Sequence, residues 1–350
     1  TDRHKNRLSV KAQTARWAAP ETNVRETDCP AIGPSRLGTA EGVRIRRFFY
    51  AVFWLFQILF FRLSSLRRIL LVIGLLLLFT SRNGQNMDNS ILLAGLIFLF
   101  VLLLELKDKI VARTELQAGR SVQKALAPES DPKIPGWDVW LFTRSANDVG
   151  GDLVDYLKIS RERYAIAVGD VAGKGLAAAL FMAKLQAVLR AIAPDYDALP
   201  ELFGKLNQIF NRDSLPSRFA SLIYVEASPE SAELKLINAG HMPPLLIRNG
   251  HLTESDKGQP ALGLMPGTEY RETKLECNTG DVVIIYSDGV TEACNENQDF
   301  YGEKRFKHLL NKISHNKTGQ IGEGIVNNVD LFIGSAPATD DLSLAILKRL

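Results

Sequence analysis

The chain has 350 residues, 46% of them hydrophobic and 23% charged, which supports at least one substantial core and excludes a wholly disordered protein. Its net charge of +3 is small but unevenly placed: residues 1–113 hold 17 Lys and Arg against 8 Asp and Glu, and the remainder holds 25 against 31. Cys29, Cys277 and Cys294 show no CxxC spacing, which argues against a disulfide framework or a thiolate zinc site and for reduced thiols in a cytosolic compartment.

Residues 1–43 mix Pro, Gly, Thr and charges without periodicity and read as a disordered basic tail. No signal peptide is visible there, and because the chain opens on Thr1 its true start can lie upstream. A membrane anchor is expected over 44–106. Three apolar runs, 48–61, 69–80 and 91–104, are dense in Leu, Ile and Phe, although each is shorter than the ~20 residues of a usual spanning helix. Leu66, Ser81, Met87 and Leu106 can lengthen the second and third. Buried helices of a water-soluble domain are the rival reading.

Basic clusters set the topology. Arg44, Arg46 and Arg47 precede the first run, Arg62, Arg67 and Arg68 follow it, and Lys107, Lys109 and Arg113 follow the third. A two-span hairpin keeps all three clusters on the inside, with the first run, which contains Trp54 and Gln57, lying along the interface. The expected location is the inner (cytoplasmic) membrane with both long ends cytoplasmic. The arginines flank apolar runs, so membrane lipid is the expected partner and nucleic acid is not. The external loop 81–90 is too short for a sensory domain.

Residues 107–132 form the expected linker, helical through about 127, with Leu116, Val122 and Leu126 at roughly helical spacing. Such a helix could pair with a second copy into a homodimer or stand alone in solvent. Pro128, Pro132 and Pro135 stop it.

Residues 133–350 read as an α+β body. Strands are expected over 137–144, 153–159, 164–168, 220–225, 232–238, 245–247, 273–277, 282–286 and 342–347, and helices over 176–192, 199–211, 303–313 and 320–332. Short links such as Arg248-Asn249-Gly250 favour antiparallel hairpins. Two mainly antiparallel sheets flanked by helices fit this order better than alternating βα units.

Four acidic signatures carry the chemistry: Gly150-Gly151-Asp152, Gly169-Asp170-Val171-Ala172-Gly173-Lys174-Gly175, Ser287-Asp288-Gly289 and Thr339-Asp340-Asp341-Leu342-Ser343. Each aspartate adjoins a strand-like run. Carboxylates gathered from distant strand ends repel one another, and such a site usually holds a hard divalent cation. The glycine loop before helix 176–192 suits a phosphate. It is not a P-loop, because only three residues separate Gly169 from Gly173-Lys174 and Gly175 stands where Ser or Thr is required.

These motifs, together with Asn238-Ala239-Gly240-His241-Met242-Pro243-Pro244-Leu245 and Tyr286-Ser287-Asp288-Gly289-Val290-Thr291-Glu292-Ala293, resemble the SpoIIE/RsbU-type branch of the PPM (PP2C-like) serine/threonine phosphatases. The resemblance covers about 115–350. It implies an αββα sandwich with two Mn²⁺ or Mg²⁺ ions. Asp170 would bridge them, the Val171 carbonyl would bind the second, Asp288 and Asp340 would hold the first, and Asp152 would support the second. All-oxygen ligands suit such hard ions, which would activate a water for in-line attack on phosphorus without a protein nucleophile.

Several roles stay open. Arg144 and Lys174 could bind the phosphate or be surface charges, Asp155 could support the site or face solvent, and either Asp340 or Asp341 could ligate. His241 could be a general acid or a structural part of its turn. Larger PP2C enzymes carry a histidine where Ala172 stands, so the leaving-group acid is unassigned. The expected activity is hydrolysis of phosphoserine or phosphothreonine on a bacterial signalling regulator, such as an anti-sigma-factor antagonist. The alternatives are a catalytically inactive phosphatase-like docking module at the membrane and a nucleotide-binding protein built on the glycine loop.

Overall fold

In a computed structural model of the chain, residues 60–80, 87–213 and 218–350 are described, with isolated positions between 50 and 58. The expected tail, much of the first apolar run and most of the loop 81–90 lie outside the described residues. The chain divides into two units, Thr1–Leu104 and Glu105–Leu350.

The first unit contains helix α1 (Ser65–Thr80) and the start of helix α2 (Met87–Leu126). Gly74 of α1 sits against the Phe98 ring of α2, where an added Cβ would stand 2.8 Å from Cε1. Ile69, Leu76, Phe79, Leu92 and Leu102 are exposed, an apolar surface that water does not favour. From Asn89 onward α2 is long and apolar enough to cross a membrane, by length and composition. The 16 residues of α1 fall short of the ~20 expected of a span. The sequence suggests a boundary between anchor and linker near 106, yet α2 runs unbroken for 40 residues, because Glu105 to Lys109 are helix-compatible. It ends just before Pro128, as expected.

The second unit is a four-layer sandwich. Its strands are β1 (Trp137–Arg144), β2 (Leu153–Lys158), β3 (Tyr164–Val171), β4 (Ala220–Ala227), β5 (Glu233–Ala239), β6 (Leu245–Arg248), β7 (His251–Glu254), β8 (Thr273–Glu276), β9 (Val282–Tyr286) and β10 (Leu342–Arg349). They form two five-stranded sheets, ordered β1-β10-β9-β6-β7 and β2-β3-β4-β5-β8, with every pairing antiparallel. Helices α3 (Leu176–Ile192) and α4 (Leu199–Arg212) pack on the second sheet through Leu185, Leu189, Phe203 and Leu206. The short α5 (Asp288–Thr291), α6 (Gly302–Ile313) and α7 (Thr318–Ile333) pack on the first through Phe306, Leu310, Ile321 and Ile325. Val139, Ile166, Val225, Ile285 and Leu347 fill the space between the sheets. Although α3 together with the helical turn that continues it to Asp195 is also long and apolar enough to span a bilayer, its buried face belongs to this core.

Register brings the acidic motifs to one rim. Leu153 pairs with Gly169 and Asp170 with Ser221, which sets Asp152 beside Asp170. Leu344 pairs with Tyr286, so the residues after β9 meet those before β10.

Candidate metal centre

Asp152, Asp170, Asp288 and Asp340 come from four chain segments and share one electrostatic neighbourhood. Burial raises the Asp152 carboxyl well above the usual range, and repulsion from Asp170 and Asp341 adds to this against nearby Ser343 and Ser287 hydroxyls. Asp170 is pushed up to about 7, first by burial and then by Asp288, Asp340 and Asp341. Asp288 is raised by burial and by Asp340 and Glu292. Mutual destabilisation of this kind marks carboxylates assembled for a cation.

The donor set fits a hard divalent ion. Asp152 Oδ2 is buried and has no hydrogen-bond partner, an arrangement costly for a carboxylate that nothing coordinates. Asp170 Oδ1 and the Val171 carbonyl oxygen both face Gly151, each 3.3 Å from where a Cβ on that glycine would lie. Among the described residues, however, no three His, Cys, Asp or Glu side chains stand close enough to hold an ion as they are.

The adjacent aspartates just before β10 differ sharply. Asp341 is buried and accepts amide hydrogens from Ala146 (2.8 Å), Gly151 (2.7 Å) and Asp152 (3.3 Å), so it braces the loop that carries Asp152. Asp340 is half-exposed and takes the Lys174 ammonium at 3.0 Å. Gly150 lies so close to the Asp341 carboxylate and Ser145 Oγ that a Cβ there would collide with both. Its carbonyl and amide are held by Gln123 of α2, at 2.8 and 3.1 Å.

The two basic residues named from sequence are both paired. Arg144 makes a double ion pair with Asp330 of α7, at 2.8 and 2.5 Å. Lys174 bonds Asp340 and the Thr339 carbonyl, and Asp340 raises its pKa. Asp155 does not face solvent: it is buried and fully paired with Arg190 of α3, at 2.8 and 2.5 Å.

Two further contacts were hidden in the sequence. Arg218 donates to the Ala172 carbonyl at 2.8 Å and packs under Gly173, although 46 residues separate donor and acceptor. Ser221 Oγ accepts the Asp170 amide at 3.2 Å and lies 3.1 Å from His241 Nδ1, which ties the Asn238–His241 turn to the central aspartate. His241 is buried, its Nε2 has no hydrogen-bond partner, and burial lowers its pKa to about 4, so it is neutral at physiological pH. The Gly-His-x-Pro-Pro signature was the visible signal for the turn; Arg218 left none.

A family model described as Stage II sporulation protein E (SpoIIE) matches residues 160–350, more than half of the chain. The chain belongs to the SpoIIE family. It thereby joins the SpoIIE/RsbU-type branch of PP2C-like phosphatases, as the motifs implied. Among its curated relatives, Protein IcfG of Synechocystis is 27% identical over 276 residues, covering 70% of this chain and 43% of that protein. Phosphoserine phosphatase RsbU of Bacillus subtilis is 24% identical over 241 residues, covering 68% of this chain and 70% of RsbU. The chain therefore spans less than half of the first relative and just over two thirds of the second. Among solved structures, the SiaA-PP2C domain of Pseudomonas aeruginosa superposes with a TM-score of 0.59 at 20% identity, covering 70% of this chain and 98% of that domain, a likeness of fold.

Proposed function

We propose that this SpoIIE-family chain is a membrane-tethered, metal-dependent phosphatase that hydrolyses phosphoserine or phosphothreonine on a bacterial signalling protein. The observation that carries the reading is the convergence of Asp152, Asp170, Asp288 and Asp340 at one rim, where burial and repulsion among the carboxylates raise Asp152, Asp170 and Asp288. Phosphoserine phosphatase RsbU as a relative supports the substrate class. An anti-sigma-factor antagonist remains our choice of substrate type.

Asp170 would bridge two Mn²⁺ or Mg²⁺ ions, with Asp288 and Asp340 toward the first and Asp152 and the Val171 carbonyl toward the second. When bound, such ions activate a water and neutralise phosphoryl charge. The chain's own groups do the rest. Asp341 fixes the loop that presents Asp152 through three amides. Ser221 and neutral His241 hold the backbone of Asp170. Lys174, restrained by Asp340, keeps positive charge beside the glycine loop. Arg144 is committed to Asp330, which favours a structural role for it over phosphate binding.

We place the apolar unit in the inner membrane, in contact with lipid, with the catalytic unit on the cytoplasmic side. The long α2 would carry regulation, in part by pairing with a second copy. A non-catalytic docking module is the alternative, but the intact set of aspartates disfavours it.

The test is Mn²⁺-dependent hydrolysis of a phosphoserine peptide by the full chain, compared with Asp170→Asn and Asp288→Asn. Activity in the wild type that disappears in both variants supports the proposal. No Mn²⁺-dependent activity, or activity retained in the variants, rejects it.

A further inference from the structure

A cavity of about 440 Å³ opens directly onto the acidic rim; Asp170 and Asp288 line it together with Phe219, His241, Met242 and Lys257. Its electrostatics are incomplete. Five carboxylates gather here (Asp152, Asp170, Asp288, Asp340 and Asp341), and two divalent ions together with Lys174 would only just neutralise them, which leaves the charge of an arriving phosphate dianion unanswered. Of the cations named near the rim, Lys174 is engaged by Asp340, Arg144 by Asp330, and Arg218 by the Ala172 carbonyl under Gly173. Lys257 is exposed and, among the described residues, has no hydrogen bond or ion pair.

The position of Lys257 is nevertheless fixed. The next residue, Gly258, presses on Asn238 so closely that a Cβ there would collide with the Asn238 carbonyl. Gln259 then donates its amide to the same carbonyl at 2.9 Å. Asn238 in turn clamps His241, donating to its carbonyl at 3.0 Å and accepting its amide at 2.8 Å. The backbone of Lys257 is thus locked to the turn that braces Asp170 through Ser221, while its ammonium stays unengaged at the cavity wall. A compact point charge on a flexible stem, set on a fixed backbone, suits a phosphoryl group whose other oxygens face metal ions.

We propose that this cavity receives the phosphorylated side chain, that Lys257 binds its phosphoryl oxygens, and that Phe219 and Met242 contact the flanking peptide. The inference rests on the phosphatase reading for the identity of the peptide, but not for the binding of phosphate. Phe219 is 36% exposed at the cavity, an apolar surface left for a partner to cover.

The experiment is calorimetric titration of the Mn²⁺-loaded full chain with inorganic phosphate, for wild type, Lys257→Ala and Lys257→Arg, with Mn²⁺ affinity measured in parallel. Lys257→Ala should weaken phosphate binding about tenfold, Lys257→Arg should restore most of it, and Mn²⁺ affinity should not change. Phe219→Ala should raise KM for a phosphoserine peptide and leave phosphate binding intact. Equal phosphate affinity in wild type and Lys257→Ala, or no phosphate binding by the wild type, overturns the proposal. If phosphate binds through Lys257 but no peptide is hydrolysed, the phosphatase reading and the peptide contacts fail, and the phosphate site at Lys257 stands. If peptide is hydrolysed and Lys257→Ala binds phosphate normally, only this inference fails.

Discussion

Asp152 and Asp155 stand at the head of β2, three positions apart, and both are buried, yet their surroundings are opposite. Asp155 is met by the Arg190 guanidinium in a double hydrogen bond and by the Tyr156 amide, so its charge is fully answered within the fold. Asp152 has an oxygen with no partner and faces Asp170 and Asp341, which repel it. The same contrast separates Asp341, satisfied by three amides, from Asp170 and Asp288, which burial and like charge destabilise. Acidic motifs in sequence mark both kinds. Only the surrounding donors show which carboxylates hold the fold together and which are left for a ligand.

The contrast breaks most directly on Asp170. Asp170→Asn should lower Mn²⁺-dependent phosphatase activity at least about a thousandfold, roughly 4 kcal/mol of barrier, in steady-state assays. The same change should raise the melting temperature of the metal-free protein, because it removes repulsion among unanswered carboxylates. Arg190→Ala addresses the opposite class. It leaves Asp155 buried with only an amide and should cost about 3 kcal/mol or more of stability in urea unfolding, with little change in Mn²⁺ affinity of the folded protein.

A pH series sharpens the comparison. The Asp170 pKa is raised to about 7 in the metal-free fold, so between its unfolded value and pH 7 the folded state binds more protons than the unfolded one. The stability this contributes is complete at low pH and is lost as pH rises toward 7. Mn²⁺ must displace that proton, so calorimetric Mn²⁺ affinity should increase with pH up to about 7. Affinity that is flat over this range would show that Asp170 is ionised without metal. The smallest effect belongs to Gln123→Ala, which removes the paired bonds to Gly150 and should cost about 1 kcal/mol in thermal unfolding.

Much of the body was legible because its strands are strongly apolar and its turns carry Gly, Asn and Pro. The edge strand β7 (His251–Glu254) escaped notice because it lies on the sheet margin and three of its four residues are exposed. β3 extends through Val171 rather than ending at Val168, since pairing with Ala220 and Ser221 continues a ladder that Gly169 and Asp170 disguise as a turn. The acidic rim was readable from motif positions at strand ends. The pairing of Arg144 with Asp330 was not, because the partner lies 186 residues away and only the packing of α7 on β1 brings it near. The same distance problem hides Arg218, and the place of Lys257 depends on contacts of Gly258 and Gln259 with Asn238 that carry no sequence signal.

The central claim is that acidic side chains from four segments hold paired divalent ions, and a Mn²⁺ titration of the full chain tests it most directly. Calorimetry should show two Mn²⁺ per chain with a rise in melting temperature, and Asp170→Asn should lose that binding. A wild type that binds no Mn²⁺, or an Asp170→Asn chain that binds it as well as the wild type, would contradict the account.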